Sequence, residues 1–423
     1  MRTLAPFLLL AALTVHPAAA DSDTARWITL DEALAQAAGS NPDLLSAREG
    51  LSKAEFDYKS QRAAYWPGVS ASAGYSRSDT DGDEAGAGDR TSAGLSASYT
   101  LFSGFADQSR VAQAEQAWKQ AEADWAQAQA DASAAVRTAF LQLLYEQERT
   151  ALARTIAERR KQNLDLVELR YESGSEHKGS LLRTQAGTRQ SEFDLEQAQR
   201  GIAVQQRELS NIIGAFARVA WVARGEWRSD EPESDPAWLD LARATPRWRA
   251  AEAALESRRL AVTAARSALY PELALRAGLD RSGESWPPDT EAWSVGATLS
   301  VPLFTGGRNI NQLAAAQAAH RQAQAEFQKT RQQILLDLES SWTNLRDARA
   351  RREVQVAFLE AAEVRAEIAR EQYSNGLLSF QNWDQIEDEL IQRQQAMLAG
   401  EREAALASAE WDRVRGRSLL ITP

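Results

Sequence analysis

Two hydrophobic periods alternate along this chain. Between Pro42 and Tyr65, and again between Gly104 and Gly174, apolar residues return every three or four positions, which places them on one side of an α-helix. Asn41 suits an N-cap with proline at the first helical position, and Pro67 ends the first segment because proline disfavours helical geometry in the residue before it. In the second segment Val111, Ala114, Trp118, Ala121, Trp125, Ala128, Ala132, Val136, Ala139 and Leu143 form a narrow seam of coiled-coil type. Seventy residues with almost no breaker predict a helix of about 105 Å, a length that needs neighbours along its whole flank. A third helix is predicted from Ser180 to Ile213, ended by Gly214 in a left-handed cap. Stacked end to end, the first and third helices nearly match the long one.

Between Pro67 and Gly104, and between Pro271 and Gly306, the period drops to two. Val69, Ala71, Ala73 and Tyr75 alternate with Ser70, Ser72, Gly74 and Ser76; Ala93, Leu95, Ala97, Tyr99 and Leu101 alternate with Gly94, Ser96, Ser98 and Thr100. A third strand sets Leu273, Leu275, Ala277 and Leu279 against Ala274, Arg276, Gly278 and Asp280, and a fourth runs from Trp293 to Leu303. Each is about ten residues long with one apolar and one small, polar face, the pattern of a strand between lipid and water.

The landmarks occur twice. Asn41-Pro42 returns as Thr245-Pro246 and Tyr65-Trp66-Pro67 as Leu269-Tyr270-Pro271, both 204 residues on. Leu101-Phe102-Ser103-Gly104 returns as Leu303-Phe304-Thr305-Gly306, Tyr171-x-x-Gly174 as Tyr373-x-x-Gly376, and Gly214 as Gly416, all 202 residues on. The expected organisation is therefore a first repeat over 21–214, a connecting segment over 215–240, a second repeat over 241–416 and a tail over 417–423. Residues 1–20 carry Arg2, an apolar run from Leu4 to Val15 and three alanines before Asp21, the layout of a secretory signal peptide.

No later stretch is long and apolar enough for a spanning helix, so a bilayer crossing here would have to be made of strands. Four strands leave two open edges, which lipid penalises, and closure then requires more than one copy of the chain. The formal charge of −11 argues against a nucleic-acid partner, and the absence of cysteine excludes thiolate metal sites.

On these residues the chain resembles the TolC-like outer-membrane efflux proteins: Asn41-Pro42, Tyr65-Trp66-Pro67, Leu-Phe-Ser/Thr-Gly twice and Tyr-x-x-Gly twice stand in that family's order, from Ile28 to about Leu419. The resemblance implies a mainly α protein with a transmembrane β-barrel portion. Long helical hairpins form a periplasmic α-barrel, and a homotrimer contributes four strands per chain to a twelve-stranded barrel in the outer membrane. It further implies a passive conduit of a tripartite efflux or type I secretion system, working with a periplasmic adaptor and an inner-membrane pump. The Tyr-x-x-Gly turns become periplasmic tips for gating and adaptor docking, carried here by Tyr171, Gly174, Ser180, Tyr373, Gly376 and Asn382. Phe102, Gly104, Phe304 and Gly306 become the strand-helix junctions, with apolar residues at the membrane boundary and glycines for the turn. Relatives often carry aspartate six and nine residues after the second tip glycine; here Asn382 and Gln385 stand there, with Asp384 and Glu387 nearby as acids that could face inward. A bulky β-branched residue at Gly174 or Gly376 is expected to impair gating or docking, because the turn needs positive φ.

No cofactor, metal or catalytic site is expected. His177 reads as a solvated tip residue and His320 as a helix-surface residue, and the acidic loop Asp79 to Glu84 lacks a full calcium-ligand pattern. No nucleophile elbow, phosphate loop or metalloprotease helix occurs. Trp221, Trp227 and Trp238 read as one packing cluster between the repeats. A competing reading is a soluble periplasmic coiled-coil scaffold or adaptor that uses its hairpins for protein contacts. Within the conduit class, no residue pattern separates drug, metal and polypeptide cargo.

Overall fold

The computed structural model describes residues 25–78, 88–227 and 236–420; the signal-peptide segment and the acidic loop at 79–84 lie outside them. The order is β1 (Arg26–Ile28), α1 (Leu30–Ser40), α2 (Pro42–Arg62), β2 (Gly68–Ser78), β3 (Gly88–Phe102), α3 (Ala106–Glu172), α4 (Lys178–Ile212), β4 (Trp221–Ala223), α5 (Trp238–Ala244), α6 (Pro246–Ser267), β5 (Glu272–Gly283), β6 (Thr290–Ser300), α7 (Arg308–Ser374) and α8 (Phe380–Val414). The duplication is structural: α3 and α7 each hold 67 residues and α4 and α8 each hold 35.

Each long helix, about 100 Å at 1.5 Å per residue, is flanked by two shorter ones stacked end to end. The stacking joint is built from caps. Asn41 Oδ1 accepts the Leu44 N–H at 2.9 Å and so starts α2, while its Nδ2 donates to Ile212 O at 2.7 Å and Ser40 Oγ donates to Ile213 O at 2.6 Å. The last carbonyls of α4 are thus satisfied by the first residues of α2. Gly214 closes α4 at φ +78° and lies so near Ser40 that a β-carbon would stand 2.1 Å from its carbonyl oxygen. In the second repeat Gly416 meets Pro246 in the same way.

Three features depart from the sequence expectation. α1 precedes α2, started by a capping box between Thr29 and Glu32, and β1 pairs in parallel with β4 of the connecting segment. Only half of the seam on α3 is buried: Val111, Ala132, Val136, Ala139 and Leu143. Ala130, Ala134 and Leu141 are buried off the seam, where α3 also packs on α6 and α8 of the other repeat, and Phe140 and Leu144 join the core around Val136 and Leu143. The three tryptophans do not cluster: Trp221 enters the core around Val136 and Leu143 and Trp227 packs at its margin, but Trp238 lies edge-on to Trp342 in a separate core with Trp248 and Trp411.

The four long strands form one antiparallel sheet in the order β2-β3-β5-β6, with β2 and β6 at its edges. β6 stops at Ser300, short of the expected Leu303, since Pro302 has no N–H to give a ladder. Thr100 holds the corresponding place in β3, which runs on to Phe102 through an irregularity at Leu101. Register puts Gly68, Ser98, Arg276 and Gly296 in one row and Ser70, Ser96, Gly278 and Ser294 in the next, all on one face. Val69, Leu95, Leu279, Trp293, Val295 and Leu299 occupy the opposite face and are exposed. Among the described residues no helix is long and apolar enough to cross a membrane.

Candidate functional site

The two helix-hairpin tips share one backbone device. α3 ends where Ser175 N–H reaches Arg170 O at 2.8 Å and Gly174 N–H reaches Tyr171 O at 3.0 Å; α7 repeats this with Leu377 to Gln372 at 2.8 Å and Gly376 to Tyr373 at 3.0 Å. Gly174 and Gly376 take φ of +74° and +75°, as this cap demands. The next helices start on side-chain caps. His177 Nδ1 accepts the Ser180 N–H at 3.2 Å and Ser379 Oγ accepts the Asn382 N–H at 3.4 Å. His177 is therefore a cap as well as an exposed tip residue.

The tips then diverge. Tyr373 is 1% exposed whereas Tyr171 is 38% exposed, because only Tyr373 has a companion: its ring stacks on Trp383 at 4.3 Å with 3° between planes. Arg170 from the first tip lies over the Tyr373 ring at 4.7 Å and donates to Tyr373 O at 2.9 Å. The Tyr373 hydroxyl donates to Glu176 Oε2 at 3.0 Å, and Glu176 Oε1 accepts from His177 N–H at 3.1 Å and from Ser180 Oγ at 2.9 Å. Burial pushes the Glu176 carboxyl up, yet the hydrogen bonds from His177, Ser180 and Tyr373 outweigh it and hold the group below its usual range. Burial, with Glu176 beside it, pushes the Tyr373 phenol up. Ser180 is buried inside this network; Tyr171, Asn382 and Gln385 are exposed and contribute no side-chain bond to it among the described residues.

Asp384 and Glu387 do not face inward as free acids. Glu387 is 1% exposed and takes a two-pronged pair from Arg159, at 2.7 and 2.8 Å, plus the Asn163 amide at 3.0 Å. Asp384 is paired with Arg183 and Arg160, and Arg160 also pairs with Asp388. These acids fasten α8 to α3 and α4, so their charge is spent within the chain. Sequence reasoning did not single out Arg170, Glu176 or Trp383; the only signal was that Leu378 and Asp384 break the repeat pattern at the counterparts of Glu176 and Leu182.

The two junctions also differ. Gly104 and Gly306 both take φ +63°. A β-carbon on Gly104 would meet Ser267 O at 2.7 Å, and Phe105, at φ +73°, packs edge-on against Phe102 at 5.4 Å and Tyr270 at 6.2 Å. The first junction is thus seated on the end of α6. Gly306 has open space around it, and Leu303 and Phe304 are about nine-tenths exposed. Among the described residues no cluster of side chains is arranged to hold a metal ion.

A sheet with one lipid-like face, carried on paired 67-residue helices, matches one family model over residues 33–215 and 240–416. The chain belongs to the outer membrane efflux protein family. Two curated relatives come from Pseudomonas aeruginosa. The alkaline protease secretion protein AprF is 32% identical over 45% of this chain and 41% of its own. The pyoverdine export outer membrane protein OpmQ is 30% identical over 56% and 50%. The chain thus spans half or less of the length of each of these two relatives. A solved structure of CusC superposes with a TM-score of 0.84 at 17% identity over 92% of both chains, which shows the shared fold. Family membership favours a membrane conduit over a soluble scaffold.

Proposed function

We propose that this outer membrane efflux protein is the exit duct of a tripartite export system, a passive channel assembled from three copies and fed through its helical end by an adaptor and an inner-membrane pump. The observation that carries this reading is the unfinished pseudo-symmetry of the chain. Within one copy, β3 pairs with β5, and α3 packs on α6 and α8. Among the described residues the equivalent surfaces of the second repeat have no cover: β6 and β2 are open edges, and Phe304 is 89% exposed where its counterpart Phe102, at 37%, packs against Phe105. Leu182 is exposed on α4 where its counterpart Asp384 is buried against α3, and Tyr65 and Trp66 at the end of α2 are exposed and ready to seat a neighbour's Phe304. A neighbouring copy that repeats the internal contact covers all of these at once and pairs β6 with β2, which removes the edges from lipid.

The tips are read as the gate and the docking face. Gly174 and Gly376 turn the hairpins, and the Arg170–Tyr373–Glu176 network ties one hairpin to the other. Cargo is not assigned: one relative is named for secreting a protease and another for exporting pyoverdine. Membrane fractionation tests the reading. A heat-resistant trimer in outer membranes that conducts ions in planar bilayers is the expected result, and a freely soluble monomer overturns it.

A further inference from the structure

The lumen-side face of the sheet is almost wholly glycine, serine, alanine and threonine, and its few charges are all spaced along it. On β5 they are Glu272, Arg276 and Asp280, four residues apart and alternating in sign; on β3, Arg90 lies four residues from Gly94, the partner of Asp280. Four residues of strand are about 13 Å between backbone positions, longer than the Debye length of about 8 Å at physiological salt, but the Asp280 carboxylate leans back over Gly278, 3.5 Å from where a β-carbon there would stand, between its own level and that of Arg276. Arg276 is exposed, flanked in its row by Ser98 and Gly296, and forms no hydrogen bond or ion pair among the described residues. Asp280, in contrast, lies down along the wall: a β-carbon on Gly94 would stand 2.2 Å from its Oδ1. The guanidinium of Arg276 is thus a mid-strand cation on this face that makes no ion pair among the described residues.

We propose that Arg276 forms a ring of three guanidinium groups inside the β-barrel that concentrates anionic cargo, such as carboxylate- or phosphate-bearing molecules, and holds back cations. This rests on the conduit reading, which supplies the three copies and the water-filled lumen. Twelve strands spaced about 4.8 Å and tilted about 40° enclose a backbone circle about 24 Å across. Its radius, less the reach of the arginine, is comparable with the Debye length, so the ring's field extends to the axis. Guanidinium forks bind carboxylates and phosphates with two parallel hydrogen bonds, and the small neighbours leave room for them.

The absence of cysteine from the chain makes a direct test possible. Ser98→Cys, opposite Arg276, introduces the only thiol, and its rates of reaction with an anionic sulfonatoethyl and a cationic trimethylammonioethyl methanethiosulfonate report the local potential in the purified trimer. A guanidinium about 6 Å away should raise the anionic-to-cationic rate ratio about three- to tenfold over that of the Arg276→Gln background, the range spanning screened and unscreened attraction in water. Arg276→Lys should keep the raised ratio and Arg276→Glu should invert it. Equal ratios in all four backgrounds, with the thiol reactive, overturn the ring but leave the conduit standing. A folded trimer whose thiol reacts with neither reagent has no water on this face, which overturns the conduit reading and the ring together.

Discussion

Among the described residues the hydroxyl of Tyr373 is the one side-chain group of the second tip that bonds the Glu176 carboxylate of the first, so Tyr373→Phe isolates a single bond of the proposed gate. The substitution keeps the ring stacked on Trp383 and leaves Arg170 free to bond the Tyr373 carbonyl. It deletes only the 3.0 Å bond to Glu176. A hydrogen bond to a charged acceptor contributes about 1.5–3 kcal/mol, and Glu176 keeps His177 and Ser180 as donors, so the lower end applies. About 1.4 kcal/mol is a factor of ten in an equilibrium, and the open fraction of single channels in planar bilayers should rise about tenfold. Acidity should do the same to the unmodified channel, and the sign follows from the shift. Glu176 titrates below its ordinary 4.5 when folded, so its contribution is present above that value and is lost as pH falls through the lowered one. The Tyr373 phenol is shifted upward from 10.0, so its contribution holds up to that value and fades only as pH climbs beyond it toward the raised one. The latch should therefore hold across neutral pH and release in strong acid, and Tyr373→Phe should flatten the acid response. An open fraction unchanged in Tyr373→Phe, with the acid response intact, refutes the latch.

Three further outcomes follow from the packing. At Gly174 and Gly376 a β-carbon meets nothing closer than 4.0 Å, so only backbone strain opposes substitution. Asparagine, which tolerates positive φ, should preserve export in a strain relying on the variant, whereas valine should cost about 1–2 kcal/mol per turn and reduce it. Asp412 is buried and accepts Arg137 at 2.6 Å and Arg415 at 2.6 Å, so Asp412→Ala strands a buried guanidinium. It should cost about 3–5 kcal/mol, read as a lower melting temperature and faster trypsin cleavage near the contact of α3 with α8. On β6, Val295→Arg should block outer-membrane assembly at a cost of about 2–4 kcal/mol while Ser294→Arg is tolerated, since adjacent residues face lipid and water; equal behaviour in a heat-resistance gel would show that the faces are misassigned.

Period and punctuation made most of this architecture legible in the sequence, because they are local properties. The 3.6 and 2 periods located the helices and strands, and Pro42, Pro67, Gly214 and their counterparts located the ends to within a few residues. What stayed hidden is what depends on the partner across space. Nothing local distinguishes Tyr171 from Tyr373, each followed three residues later by a glycine at φ near +75°; one is exposed and the other buried because Trp383 and Arg170 happen to meet only the second. Asp384 and Glu387 looked like candidates for an acidic pore because their arginines, 159, 160 and 183, come from other helices some 200 residues earlier. The same reasoning explains why Leu303 and Phe304 look wrong in one copy of the chain. Phe102, the repeat partner of Phe304, packs edge-on against Phe105, which in turn reaches Tyr270 just beyond α6, whereas among the described residues Gly306 has open space around it. An internal duplication with one seated and one bare junction is therefore an argument about assembly, and it reaches from residue pattern to oligomer without any reference to the pore.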